Sequence, residues 1–401
     1  DPARLQQRMD AIWRDRWPEW CDFNADRWAA FWRGLVLALR PLGKKTMMHS
    51  AGTKGAFESL YSAGLDYRRM AALGVDYLVA DTVAANLALI SGGRDRHFEL
   101  AAVLAEMKAL VPEMKVLFLH GVKDVVESYD LLRHAPARLE REVYTLANQY
   151  YRRPDSSLAR CADGLMVCLG DGLEAAEWAG LRRHWETGFA FEPVQAGELT
   201  WVFDDGAVDR LRGDYPEHGT WPGVFQVARL AESGALQIAC IGRAEHAARM
   251  AGPILVPNFD LCSPAVRHAV LSRPGSDPTV LLGNLHGLEI PLGAGCVSCQ
   301  VADDYCLGCL ILYDGLSGER RAVPPAPGPR WSRVKPPASF LKPLEYQAVP
   351  EAFWIEAAAA IRRCLEAWSE ARGLPVCRVD GGPDGVRVLG VGNAQGVRRM
   401  A

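Results

Sequence analysis

The segment MKVLFLHGVKDVVESYD (114–130) decides how this chain is read. Val116, Leu117, Phe118 and Leu119 form an apolar, β-prone run, and polar residues follow at His120, Lys123, Asp124 and Glu127. An apolar run of this length, bounded by polar residues, reads as a buried strand, KVLFLH, ending at His120. Similar runs lie on either side. KTMMHS (45–50) ends near His49, VDYLVAD (75–81) ends at Asp81, and GLMVCLGD (164–171) ends at Asp171. Stretches with helical spacing separate them, which is the pattern of parallel βα units. Such units build either half of an eight-stranded barrel or a small doubly wound sheet. In both, reactive groups gather at the strand C-termini.

Working outward, FNADRWAAFWRGLVLALRPLG carries Trp28, Phe31, Trp32, Leu35 and Leu39 at helical spacing, with Asn24 as its expected cap and Gly43 as its stop. HFELAAVLAEMKALVP, residues 136–152 and LEAAEWAGLRRHWETG also read as helices. After about residue 195 the chain offers further strands at 199–205, 236–242, 252–258 and 278–284, with helices in WPGVFQVARLAESG and SPAVRHAVLSR. CVSCQVADDYCLGCLILYDG (296–315) reads as a hairpin, 321–337 as a Pro-rich loop, and VPEAFWIEAAAAIRRCLEAWSEARG as an amphipathic helix. PVCRV and GVRVLGVGNA are two last strands.

Composition narrows the partners. The 401 residues carry a formal net charge of −3 and no dense Lys/Arg block, which argues against nucleic acid and anionic membrane. No run of about 18 apolar residues occurs, and the charged first residues do not form a signal peptide. Cysteines such as Cys168 and Cys240 sit inside apolar runs, which suits reduced thiols in a cytoplasmic protein.

His120 with Lys123, Asp124 and Glu127 forms the first candidate site, because a histidine beside a carboxylate can move protons near neutral pH. The competing reading makes Asp124 a helix cap and Glu127 part of a capping box. His49, Asp81, His120 and Asp171 form the second: strand-end groups that could line a sugar pocket or converge on a metal. Trp17 and Trp20 are candidate sugar-stacking residues in the Trp-rich start of the chain, where core packing is the alternative. Cys296, Cys299, Cys306 and Cys309 form a C-x2-C-x6-C-x2-C pattern. Its short spacer makes zinc the weaker reading beside buried thiols. No organic cofactor is expected.

The phrases WPEWCDFNADRWAAFW, GKKTMMHS and LDYRRMAALGVDYLVAD, in this order, resemble the second half of the catalytic barrel of β-galactosidase-like clan A glycoside hydrolases. LTWVFDDG, GPILVPNFDLCSPAVRHAVL and TVLLGN would then belong to the glutamine-amidotransferase-like α/β domain that follows the barrel in that family. The resemblance implies an α/β protein with a C-terminal half of a (β/α)8 barrel at 1–192, an open-sheet amidotransferase-like domain at 193–374 and the start of a small β-domain at 375–401. The front half of the barrel would precede residue 1. It implies a glycosidase acting on a small glycoside or oligosaccharide, a galactoside-type phosphorylase, or a non-catalytic sugar-binding relative. A homo-oligomer, dimer or trimer, is the implied assembly. The family's nucleophile Glu lies at its seventh strand. That strand would be KVLFLH here, and it ends in His120. On this reading Asp81, His120, Asp124 and Glu127 form the polar floor, with His49 and Asp171 beside them.

Overall fold

The computed structural model describes residues 2–50, 54–81, 96–124, 129–170, 172–190, 199–234, 236, 238, 240–291, 295–302, 307–326, 331–333, 335, 344–372, 389–393 and 396–400. Four parallel strands lie side by side in chain order: β1 (Met47–Ser50), β2 (Tyr77–Asp81), β3 (Lys115–Asp124) and, after three short strands, β7 (Gly164–Gly170). A doubly wound sheet reverses its strand order at a switch point. This sheet does not reverse, so each unit adds its strand beside the previous one. Helices Ala56–Ala63, Tyr67–Ala72, His97–Leu110 and Pro136–Ala147 lie in the connections, and Ala175–Gly188 follows β7. The short strand β4 (Tyr129–Asp130) folds back antiparallel onto Lys123 and Asp124.

Among the described residues the second sheet is mixed and has nine strands. Its parallel centre is β8 (Thr200–Phe203), β9 (Cys240–Arg243), β10 (Ile254–Val256) and β11 (Thr279–Gly283). One flank holds β12 (Cys296–Val301) and β13 (Gly308–Leu312), the expected hairpin, with β14 (Glu319–Val323) parallel to β12. The other flank is a hairpin of β5 (Tyr150–Arg152) and β6 (Leu158–Arg160), which comes from the chain between β3 and β7. β15 (Leu389–Asn393) and β16 (Gly396–Met400) pair with each other.

One hydrophobic core joins the two sheets. It runs from Leu78 and Phe118 through Leu104 and Met107 to Trp201, Ile241 and Trp354. The helix His97–Leu110 lies inside it, with every residue from Leu100 to Leu110 buried. That accounts for a helix with apolar residues on all sides rather than on one stripe.

Four local expectations are corrected. Asn24 is not a cap: the helix starts at Trp17, with Pro18 in its first turn, and runs unbroken to Leu39. Residues 136–152 are not all helical, since the helix stops at Ala147 and β5 begins at Tyr150. Asp205–His218 is a helix that the sequence reading passed over, capped by the Asp204 carboxylate accepting from the Gly206 N–H. Most important for the site, β3 does not end at His120. It continues through Gly121, Val122 and Lys123 to Asp124, paired with β7 and then β4.

Candidate functional site

Registered neighbours in a sheet share a face, and residues along a strand alternate between faces. His49 is in register with Val79, so His49, Val79 and Asp81 project to one side of the sheet. There the His49 Nε2 lies 3.4 Å from the Asp81 Oδ2, with the imidazole 44% exposed and the carboxylate 12%. The carboxylate can orient the ring.

Behind this pair stands a chain of charges at the C-terminal ends of β1 and β2. Lys54 follows β1, and its Nζ lies 3.9 Å from the Glu58 Oε2. Burial lowers the Lys54 pKa, and the Glu58 charge pulls it back up. Burial raises the Glu58 pKa. The Tyr346 hydroxyl donates to its Oε1 at 2.7 Å and the Leu344 N–H at 3.0 Å. Arg96 precedes the helix His97–Leu110 and bonds Glu99. Burial works against the Arg96 charge, but Glu99, Glu58 and Asp81 outweigh it and hold its pKa above the usual value. Asp81, Arg96, Glu99, Glu58 and Lys54 thus form a mixed-sign set that runs from the half-open imidazole of His49 to the buried Glu58 and Lys54.

His120 lies on the other face. It shares that face with Phe118 and Val122, and Val122 packs on Leu139 and Leu181 of the helix layer. His120 is wholly buried, and its Nδ1 sits 2.6 Å from the Oε2 of Glu142 on the helix Pro136–Ala147. Its ring nitrogens make no aligned hydrogen bond among the described residues. Asp124 is 4% exposed and falls by alternation on the His120 side. The expected polar floor is thus divided: His49 and Asp81 come together, while His120 and Asp124 face the helices behind the sheet. Glu127 and Asp171 lie outside the described residues. On the His49 side, Leu119 of β3 packs with Val79 and Leu131.

Trp17 is half-buried against Trp13 and Tyr61, at ring-centroid distances of 5.3 and 5.8 Å, so it packs on the core. Trp20 is 37% exposed and stacks on Phe23 of its own helix. No described contact links either to His49 or Asp81. Cys299 and Cys309 sit opposite each other on β12 and β13, while Cys306 lies outside the described residues. Among the described residues no group of three or more His, Cys, Asp or Glu side chains could hold a metal ion.

Two carboxylates escaped the sequence reading. Glu142 occupies the same helix face as Leu139, Val143 and Leu146, all buried, and a charge on an apolar face was the available signal. Glu106 is buried inside the central helix, where its Oε2 accepts from the Ala56 N–H at 2.7 Å. It borders a void of about 20 Å³ with Trp201 and Asn258. Its helix-face neighbours Ala102, Val103, Ala109 and Leu110 are all apolar, the same signal that marked Glu142.

No family model matches the chain, and no curated protein matches it. A solved structure, the β-galactosidase from the psychrophilic Marinomonas ef1, aligns over 91% of this chain and 61% of its own length. The identity is 13% and the TM-score 0.42.

Proposed function

We propose that the protein is carbohydrate-active, of the glycoside-hydrolase type, and takes a small glycoside at the C-terminal ends of β1 and β2. The reading is supported by one observation: a half-exposed imidazole beside a nearly buried carboxylate, His49 and Asp81, at the end of parallel strands where such folds bind ligands. In this reading Asp81 orients His49, His49 exchanges a proton with the sugar or a water, and Asp81 in turn attracts the Arg96 charge.

The test is a screen of aryl galactosides and glucosides, with and without inorganic phosphate, on the full chain and on Asp81→Asn. A positioned proton-transfer group contributes about 100-fold or more, so Asp81→Asn should lose at least that factor in kcat/KM. Turnover that needs phosphate assigns a phosphorylase instead. A wild-type chain that neither cleaves nor binds any of these sugars ends the proposal.

A second reading, sugar binding without turnover, is favoured by the state of the neighbouring carboxylates. Glu99 is bound to Arg96, and Glu58 is enclosed by Lys54, Tyr346 and Leu344. Double displacement needs two carboxylates facing the sugar. Calorimetry that detects glycoside binding in the absence of any cleavage selects this reading.

A further inference from the structure

A cleft of about 610 Å³ opens on the outer part of the second sheet, remote in sequence from His49 and Asp81. Its volume falls in the range of small-molecule sites, roughly 300–1,000 Å³. β12 and β13 form the floor, the 284–291 segment one wall and the start of β14 the rim. The lining is aliphatic: Leu310 is buried in the floor, and Leu285, Leu288 and Ile290 are half-buried in the wall.

His286 lies on the 284–291 wall, and the other polar groups used here gather around β12 and β14. Ser298 and Gln300 alternate on β12 with Cys299, so they share a face. Arg320 of β14 is in register with Ser298 and shares that face too. All three line the cleft. Among the described residues their side chains form no hydrogen bond and Arg320 forms no ion pair, unlike its neighbours. Arg321 is held by Glu319 and Glu356, and Glu319 also meets Arg363. The Glu319 carboxylate at the rim is thus engaged elsewhere, and Arg320, exposed at the rim, has no ion pair among the described residues.

Gly308 starts β13 and also borders the cleft. A Cβ there would meet only Leu285 Cδ1 at 3.6 Å and backbone oxygens at 3.8 Å, ordinary contact distances. The position accepts a side chain, so its glycine leaves room rather than meeting a backbone demand. Glycine inside a strand often marks where a ligand approaches.

We infer that this cleft binds an apolar monocarboxylate, its chain or ring against Leu285, Leu288, Ile290 and Leu310 and its carboxylate at Arg320, Ser298 and Gln300. A guanidinium offers a paired set of donors that matches a carboxylate. Walls dominated by Leu285, Leu288, Ile290 and Leu310, with no Phe, Tyr or Trp among the described lining residues, suit a hydrocarbon body better than a sugar.

Calorimetry on the full chain with octanoate, 2-naphthoate, octan-1-ol and acetate tests the inference. Octanoate and naphthoate should bind and compete with each other, while acetate lacks the body and octanol the charge. Arg320→Gln should weaken octanoate about tenfold or more, the loss of a charge-assisted bond. Gly308→Val should weaken octanoate and naphthoate alike by filling the cleft. Asp81→Asn should change nothing, which separates this site from the one proposed above. Absence of octanoate binding at millimolar concentration overturns the inference, as does binding unchanged in both Arg320→Gln and Gly308→Val.

Discussion

Glu106 illustrates what single residues do inside this core. Burial pushes its carboxyl up to about 7, against the Ala56 N–H, which favours the charged form. An unperturbed Glu titrates near 4.3. Folding therefore retains a proton that the unfolded chain has lost, and that stabilisation is present in full below about 4.3. It is lost as pH rises through about 7, a change of ~3 kcal/mol. Asp260, raised by burial to about 6, acts with the same sign. Glu106→Gln should hence flatten part of the decline in melting temperature between pH 5 and 8, with the Asp260 share remaining. A melting profile parallel to wild type across that range would contradict the assignment.

His120 and Glu142 make a related point. Removing one member of a buried polar pair costs about 1–3 kcal/mol. His120→Ala should lower the unfolding free energy in urea by that amount, and His120→Leu with Glu142→Leu should recover most of it. A role in turnover, by contrast, would show as lost activity in a fully folded His120 variant. The histidine itself was legible in the chain. Its face was not, because alternation assigns it only once the strand is known to continue to Asp124.

At the level of elements, the helix Trp17–Leu39 was legible by its periodicity but not by its boundaries. Pro18 was the better start signal than Asn24, since proline in a first turn gives up an N–H that has no partner there. Asn24 lies against Gly64, the left-handed residue that ends the helix Ala56–Ala63. A Cβ on Gly64 would stand 2.3 Å from that of Asn24, at φ +66°. Gly64→Ala should therefore destabilise by more than ~1 kcal/mol in urea unfolding, through strain and overlap together. Phe31, 58% exposed on the same helix as Asn24, should tolerate Phe31→Ser within about 0.5 kcal/mol. Sequence spacing placed Phe31 with Trp32 on a single apolar stripe, yet only Trp32 packs against the core. The tertiary environment, not hydrophobicity, decided between them.

Across the whole molecule, the central helix His97–Leu110 packs into a core that both sheets share. A contiguous core couples its parts, so calorimetry should give one main endotherm. Two well-separated transitions would show that the sheets unfold independently. The candidate site has the same long-range character: Glu58 and Tyr346, 288 residues apart, meet through one hydrogen bond.

The residues alone determined that parallel βα units open the chain, that 296–315 makes a hairpin and that 351–371 makes a helix, because periodicity and turn chemistry act over a few neighbours. Tertiary structure alone decided that His49 meets Asp81, that His120 turns to Glu142 and that the 150–160 hairpin joins the later sheet. Those outcomes depend on strand length and on which partner covers each face, and both are set by pairing between segments far apart in the chain.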